Sequence, residues 1–192
     1  AAIVANFPGP SGDAPSLMKF DDLVTLFHEF GHVTHQILTK ARYCKFSGTS
    51  VSRDFVEVPS KMFENWAYFG EVLKAVSGHY RNPSEKLPDK LIKKLINTKN
   101  MDSGLVYLRQ IFFSLLDIKY HMAGKLDTTR IYEKMMKKIS LIPMSEGTHP
   151  QASFGHLMGG YEAGYYSYLW SELIAADLFS VFEEKGVMDP AN

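Results

Sequence analysis

The chain has 192 residues, and its 21 Lys and Arg residues balance its 21 Asp and Glu residues, so the formal net charge is zero. Apolar residues make up 45% of the composition, which is typical of a packed globular domain and too high for a disordered chain. The zero net charge argues against binding to nucleic acid or to a membrane surface through bulk charge. No apolar segment approaches the roughly 20 residues of a membrane-spanning helix. We therefore expect one folded domain over residues 1–192, with neither nucleic acid nor membrane as a partner.

The cysteine content and the first residues of the chain are informative about the cellular compartment of the protein. Cys44 is the single cysteine, so an internal disulfide is impossible and a reducing, cytoplasmic compartment is predicted. The chain starts at Ala1 with neither an initiator Met nor a signal-peptide pattern. We expect it to be a piece of a longer protein, in which a targeting signal could precede Ala1.

The spacing of apolar residues predicts a mainly α fold with one short β element. After a loop rich in Pro and Gly, a helix is predicted from Phe20 to about Leu38, followed by a short strand at Tyr43–Ser47 and a stop at Gly48. The other predicted helices are 54–78, 88–96, 101–122, 128–139 and 165–184, and a Gly-rich segment at 155–164 precedes the last one.

The first predicted helix contains the motif His28-Glu29-Phe30-Gly31-His32. Histidines four residues apart on a helix lie about 40° apart around the axis and about 6 Å apart along it, so both imidazoles reach one metal ion. Glu29 then lies beside the ion, where it serves as a general base. The pattern predicts a site for one Zn²⁺ with His28 and His32 as ligands.

A catalytic zinc site needs a third protein ligand. His35 lies roughly 10 Å further along the helix than His28, too far for the same ion, so a structural role is predicted for it. The carboxylates of Glu57, Glu64 and Glu71 follow at seven-residue spacing on the second predicted helix, so all of them lie near one face. Spacing favours Glu57 only weakly over Glu64.

Several segments together resemble one known family. They are His28–His32, Phe46–Thr49, Phe55–Ser60, Phe154–Tyr161 and Tyr165–Glu172. With these motifs the chain resembles the thimet oligopeptidase family of zinc metallopeptidases over essentially its whole length. Lys61 departs from the Gln expected after Pro59-Ser60, at a position that is not a ligand.

The resemblance implies a fold, a ligand set and an activity. It implies a helical zincin-type catalytic core, here a partial catalytic domain, which forms half of a larger two-domain peptidase with a deep channel for short peptides. Its zinc ligands correspond to His28, His32 and Glu57, with Glu29 as the general base. The implied partners are short peptide substrates and the missing remainder of the chain itself.

The resemblance also implies roles for residues near the C-terminus. Tyr168 and Tyr161 correspond to catalytic donors to the oxyanion, and His156 to a residue that contacts the peptide backbone. Tyr165 is a less firm substrate-binding residue, because aromatic residues at helical spacing usually pack in a core. Gly48 is predicted to present a strand edge to an extended substrate.

Two other functions stay open at this point. The chain could bind zinc without peptidase activity, because the rest of the substrate channel is absent from it. It could also be a helical interaction domain in which the histidine motif is accidental. Bound zinc excludes the accident, and turnover of a peptide separates an enzyme from a scaffold.

Overall fold

The computed structural model describes residues 2–122 and 124–191 and confirms the mainly α prediction. The helices are α1 (Phe20–Ile37), α2 (Arg53–Val56), α3 (Val58–Glu64), α4 (Gly70–Val76), α5 (Asp89–Asn97), α6 (Ser103–His121), α7 (Thr128–Ile139) and α8 (Ser167–Lys185). Short 3₁₀ turns lie at Cys44–Phe46, Asn65–Tyr68, Pro150–Ser153 and Gly155–Met158. Within the described residues no helix is long and apolar enough to cross a bilayer.

The predicted strand at Tyr43–Ser47 is wrong, because the structure has a 3₁₀ turn there and no β-strand among the residues it describes. The N–H groups of Phe46 and Ser47 donate to carbonyl groups three residues back, which closes the turn. Tyr43 and Phe46 are both more than half exposed, so the alternation of apolar and polar residues buries no face. Without a buried face and a neighbouring strand, the pattern has nothing to pair with.

The second predicted helix is interrupted twice. Glu57 precedes α3, whose first turn holds Pro59, and a proline lacks the N–H that a continuous helix would use there. Phe69 has an extended backbone, with φ −101° and ψ 133°, and separates the 3₁₀ turn from α4. Residues 53–76 are therefore a series of short helical segments rather than one continuous helix.

The chain folds as two compact units. The first unit contains residues 1–52, 56–101 and 172–192, and in it α1 packs against α3. Trp66 forms edge-to-face contacts with Phe179 and Phe182, at centroid separations of 4.7 and 4.8 Å. The indole N–H of Trp66 donates to the carbonyl of Val187 over 3.0 Å, so this large side chain is both packed and hydrogen-bonded.

The second unit contains residues 53–55 and 102–171. Its core lies between α6 and α7, where Phe112, Leu116 and Tyr132 are almost fully buried. Asp127 begins α7 by accepting the N–H of Arg130 over 3.0 Å, which is a typical N-cap. Phe113 of α6 packs against this core and also contacts Phe154 and Tyr165, in the segment that is described below.

The close approach of α1 to α3 depends on Gly31. A Cβ atom added at this buried glycine would lie 2.5 Å from Cα of Ser60 and 2.7 Å from the carbonyl oxygen of Pro59. Both of these atoms belong to the backbone, which cannot move aside as a flexible side chain can. The two helices are therefore in backbone contact at a residue that lies between Glu29 and His32 in the chain.

We expect Gly31→Ala to lower the free energy of unfolding by about 3 kcal/mol, the upper end of the usual cost of overpacking. The added methyl group forces α1 and α3 apart, so zinc binding should weaken in the same variant. Denaturant unfolding and metal titration measure the two effects. Gly104→Ala is the matched control, because a Cβ at Gly104 in α6 meets no atom within 4 Å. Equal stability of the two variants would contradict the prediction.

Candidate functional site

Two helices of the first unit bring the predicted metal ligands together. His28 and His32 project from one face of α1, and Glu57 lies at the start of α3. Oε2 of Glu57 lies 3.3 Å from Nε2 of His28 and 3.3 Å from Nε2 of His32. One candidate ligand atom from each residue lies within 4.8 Å of the other two, so the donors surround one small volume.

The donor set fits a zinc ion. Donor atoms bound at the usual 2.0–2.2 Å in a tetrahedron lie roughly 3.3–3.5 Å apart, and the two nitrogen–oxygen separations have this value. Nδ1 of His28 lies 2.7 Å from a carboxylate oxygen of Glu64, so Nδ1 carries a proton and donates it. In the neutral imidazole, Nε2 is then an acceptor that faces an oxygen of Glu57, an arrangement that is favourable when a proton or a metal ion lies between them.

Residues around the three donors hold them in place. Glu64 in α3 accepts the hydrogen bond from His28 and also contacts Lys61, whose Nζ lies 3.1 Å from Oε1. Ser60 is fully buried and donates its hydroxyl to Oε2 of Glu57 over 3.0 Å. Spacing alone leaves Glu64 as a competing ligand, whereas in the structure Glu64 binds Nδ1 of His28, the ring nitrogen that faces away from Glu57. A carboxylate in that position fixes the ring orientation and the tautomer of a metal-binding histidine.

The charges of the site shift the pKa values of its residues in the metal-free chain. Burial by itself would lower the pKa of His28, but hydrogen bonds to Glu57 and Glu64 and their negative charges outweigh burial and raise the pKa to about 9. Burial by itself would raise the pKa of Glu57, but hydrogen bonds from His28 and His32 hold this pKa well below its ordinary range. The carboxylates of Glu57 and Glu64 thus stabilise a positive charge at the histidine side chains that they contact.

Glu29 lies between the two histidines in the chain and is half-buried on α1. In the part of the chain that the structure describes, its carboxylate forms no hydrogen bond or ion pair, unlike the carboxylates of Glu57 and Glu64. Its carboxylate is therefore available to a water molecule or a substrate. His35, which sequence analysis excluded as a ligand, does not belong to the converging group.

A cluster of aromatic residues lies in the second unit. The rings of Tyr161 and Tyr168 stack at a centroid separation of 5.2 Å, and the hydroxyl of Tyr168 lies 3.4 Å from Nε2 of His156. The guanidinium group of Arg53 lies 4.9 Å from the centre of the Tyr161 ring. The structure thus brings Tyr161, Tyr168 and His156 into mutual contact, and all three are half-buried with part of each side chain accessible.

Tyr165 and Gly48 both pack closely against neighbouring residues of the chain. Tyr165 is 8% exposed and packs against Phe113 and Phe154, so its burial favours the packing interpretation, and substrate contact stays a prediction. Gly48 has φ +53° and is pressed against Gln36, where an added Cβ would clash with the side chain and with Cα. The N–H of Thr49 donates to Gln36, so the strand edge that was predicted to meet a substrate is absent from this segment.

Loss of each glutamate should affect metal content differently. Glu57→Ala removes a donor and should release zinc, since two histidines alone hold a catalytic ion weakly. Glu64→Ala should keep the ion in place but weaken its binding by about 10–100-fold, the usual cost of losing an outer partner. Elemental analysis and chelator competition measure both. Glu71→Ala is the control, because Glu71 is exposed on α4. Loss of zinc from Glu64→Ala but not from Glu57→Ala would assign the wrong carboxylate to the ion.

A histidine pair on one helix and a carboxylate from the start of another form the donor set of metallopeptidases with a helical zinc motif, in which the glutamate that follows the first histidine is not a ligand. Comparison with known proteins agrees with this class. The chain belongs to peptidase family M3, whose family model matches residues 1–192.

Curated relatives match nearly the whole chain. The thimet-like oligopeptidase of Dictyostelium discoideum is 47% identical over 98% of the chain, and oligopeptidase A of Escherichia coli is 42% identical over 98% of it. Dipeptidyl carboxypeptidase of Escherichia coli is 33% identical over the same share. The chain spans 29%, 28% and 28% of the lengths of these three relatives.

Proposed function

We propose that the chain carries the catalytic centre of a zinc-dependent oligopeptidase that hydrolyses internal peptide bonds of short peptides. The observation that carries the proposal is the convergence of His28, His32 and Glu57 on one volume. Glu29 directly follows His28 in α1. Membership of peptidase family M3 supports the peptidase class. His28, His32 and Glu57 would hold one Zn²⁺ per chain.

Zinc, when bound, supplies Lewis acidity that polarises a peptide carbonyl and makes a water molecule more acidic. Glu29 accepts the proton of the attacking water on a carboxylate oxygen and then delivers it to the nitrogen of the departing amine. Glu64 holds the ring of His28 in the orientation described above, and Ser60 does the same for the carboxylate of Glu57. Each of these residues therefore has a separate task in the site.

In this proposal, the residues of the aromatic cluster act on the peptide substrate. Tyr168 and Tyr161 donate their hydroxyl groups to the oxygen that gains negative charge as the peptide carbonyl becomes tetrahedral. His156 contacts the backbone of the peptide, and Tyr165 and Gly48 shape the surroundings of the substrate. The contact of Tyr168 with His156 supports a shared function of the two residues. The further partner of the chain is the remainder of its own protein, and a cytoplasmic location stays a prediction.

The purified chain should contain one zinc ion, and His28→Ala should lose most of it, because the remaining two ligands bind zinc too weakly to survive dialysis. Elemental analysis measures the zinc content, and a quenched fluorescent peptide measures hydrolysis. His79→Ala serves as the control, because His79 lies on the surface outside the converging group. A full equivalent of zinc in the same site of His28→Ala would refute the ligand assignment.

The second candidate is a zinc-binding chain that does not hydrolyse peptides by itself. The observation that favours it is length, since the chain spans less than a third of each curated relative compared above. Zinc binding without turnover by the 192 residues, together with turnover by the full-length protein, would establish this candidate. Turnover by the 192 residues alone would exclude it.

A further inference from the structure

Asp117 in α6 is a buried carboxylate to which the proposed reaction gives no task. It is 1% exposed, and the other buried residues of α6 are Phe112, Ser114 and Leu116, none of which carries a charge. Its Oδ1 accepts the backbone N–H of Ala163 over 3.0 Å, and its Oδ2 accepts the backbone N–H of Tyr165 over 2.9 Å. One side chain of α6 therefore binds two amides of the segment that leads into α8.

A third donor completes the surroundings of this carboxylate. Nδ1 of His121, one helical turn after Asp117, lies 3.0 Å from Oδ1 and 2.9 Å from the carbonyl oxygen of Asp117. Both of these oxygens are acceptors, so Nδ1 carries the proton and donates it. A carboxylate without exposure to water needs several donors of this kind to remain in a folded core.

The segment that Asp117 binds has a backbone conformation that needs support. Ala163 has φ +56°, in the left-handed region that residues with a side chain rarely adopt, and Gly160 has φ +90°. The N–H of Gly164 donates to the carbonyl of Tyr161 over 2.8 Å and closes a tight turn. A residue with positive φ persists where its neighbours hold it, and here the neighbour is the carboxylate that binds the N–H of Ala163.

The two aromatic donors of the proposed reaction lie on either side of this turn. Tyr161 precedes it, and Tyr168 lies in the first turn of α8, just after Tyr165. Their rings nevertheless stack at 5.2 Å with an angle of 16° between the ring planes. The relative placement of the two hydroxyl groups thus depends on the path of the chain between them, which Asp117 holds at two amides.

We propose that Asp117 is a positioning residue, whose buried carboxylate binds the amides of Ala163 and Tyr165 and thereby fixes the hydroxyl groups of Tyr161 and Tyr168 relative to each other. The inference rests on the proposed function, since it assigns these hydroxyl groups to the reaction. Asp117 itself touches neither metal ligands nor substrate in this role. It acts through the turn.

Asp117→Asn tests the role with little change of shape. An amide side chain has one acceptor oxygen where the carboxylate has two, and its NH₂ group then faces an N–H or the ring of His121. We expect hydrogen exchange of the amides of Ala163 and Tyr165 to accelerate by at least about tenfold. We also expect the nuclear Overhauser contacts between the rings of Tyr161 and Tyr168 to disappear. Both measurements use the 192-residue chain.

Ser140→Ala is the matched control for lost stability. Ser140 is 7% exposed, lies in the same unit, and donates its hydroxyl to Met136 and Ile142. Its loss should weaken the unit without changing exchange at Ala163 and Tyr165 or the ring contacts. The control separates a general loss of stability from a local release of the turn.

Kinetics of the full-length protein separate positioning from mere support of the fold. Misplaced hydroxyl groups act on the transition state, so kcat per bound zinc should fall about 10–100-fold in Asp117→Asn, while KM changes by less than about threefold. A carboxylate that only stabilises the fold would reduce the amount of folded protein and leave kcat per bound zinc unchanged. Ser140→Ala should show that second behaviour.

A second substitution covers the case in which Asp117→Asn does not fold. Replacement of Tyr165 by its α-hydroxy acid turns one N–H into an ester oxygen and leaves Asp117 with the other two donors. We expect the same loss of ring contact to a smaller extent. Intact ring contacts and amide protection in the folded variants would overturn the inference, and so would their loss with unchanged kcat per bound zinc. Absence of turnover by the wild-type full-length protein would refute the proposed function. Amide exchange and ring contacts in Asp117→Asn would still decide whether Asp117 positions the two rings.

Discussion

Glu29→Gln is expected to lower kcat by at least about 10²-fold while the protein keeps one zinc ion per chain. Glutamine has the shape of glutamate but cannot accept a proton at neutral pH, so the proton-transfer role ends while packing is preserved. The three converging donors are His28, His32 and Glu57, which the substitution does not touch. Peptide turnover and elemental analysis of the same preparation of full-length protein measure the two quantities.

The matched control for Glu29→Gln is Glu71→Gln. Glu71 is exposed on α4, so its substitution removes an equal charge without reaching the site. We expect normal turnover and normal zinc content in that variant. If Glu29→Gln loses zinc as well as activity, Glu29 acts as a ligand or supports the ligands, and the assignment of a general base is wrong.

Tyr168→Phe is expected to lower kcat by roughly 10²–10³-fold, or about 3–4 kcal/mol, with a much smaller effect on KM. A phenol that donates to the developing oxyanion acts in the transition state, so its loss appears in kcat rather than in substrate binding. The ring remains to stack on Tyr161, so the melting temperature and the zinc content should stay nearly unchanged. Steady-state kinetics and thermal unfolding of the full-length protein provide the measurements.

A tyrosine that only packs behaves in the opposite way. Tyr132 is 5% exposed in the core of the second unit, and Tyr132→Phe should leave kcat unchanged with at most about 1 kcal/mol of lost stability. Near-normal kcat in zinc-loaded Tyr168→Phe would place Tyr168 in the same class as Tyr132. The pair of variants thus separates an aromatic residue of the reaction from one of the core.

The local part of the metal site could be predicted from sequence because it depends only on helical geometry. His28 and His32 lie one turn apart, so their convergence follows once α1 forms, and the structure has α1 at Phe20–Ile37. The limits of α7, Thr128–Ile139, also agree with the prediction, since Asp127 caps the helix and its apolar spacing is regular. In these segments, short-range forces determine the structure.

The carboxylate ligand could not be chosen in this way, because the choice depends on where a helix is interrupted. The seven-residue spacing places Glu57, Glu64 and Glu71 on one face only if they share one helix. In the structure Glu57 precedes α3, Glu64 ends α3, and Glu71 lies in α4 beyond an extended residue. The spacing of seven therefore no longer places them on one face. The role proposed for Asp117 could not be predicted from spacing either, although a single carboxylate in the mostly apolar segment 111–118 was a signal of it.

If the chain binds zinc as proposed, the backbone contact at Gly31 would link metal binding to the docking of α1 and α3. An unfolded chain offers an ion the neighbouring pair His28 and His32, and Glu57 joins them only when α1 and α3 have docked. In the proposed site, zinc bound by all three donors would hold that docked pair together and add its binding energy to the tertiary contact. Tight zinc binding would thus require that α1 and α3 are docked, and removal of the ion by a chelator would destabilise this contact first.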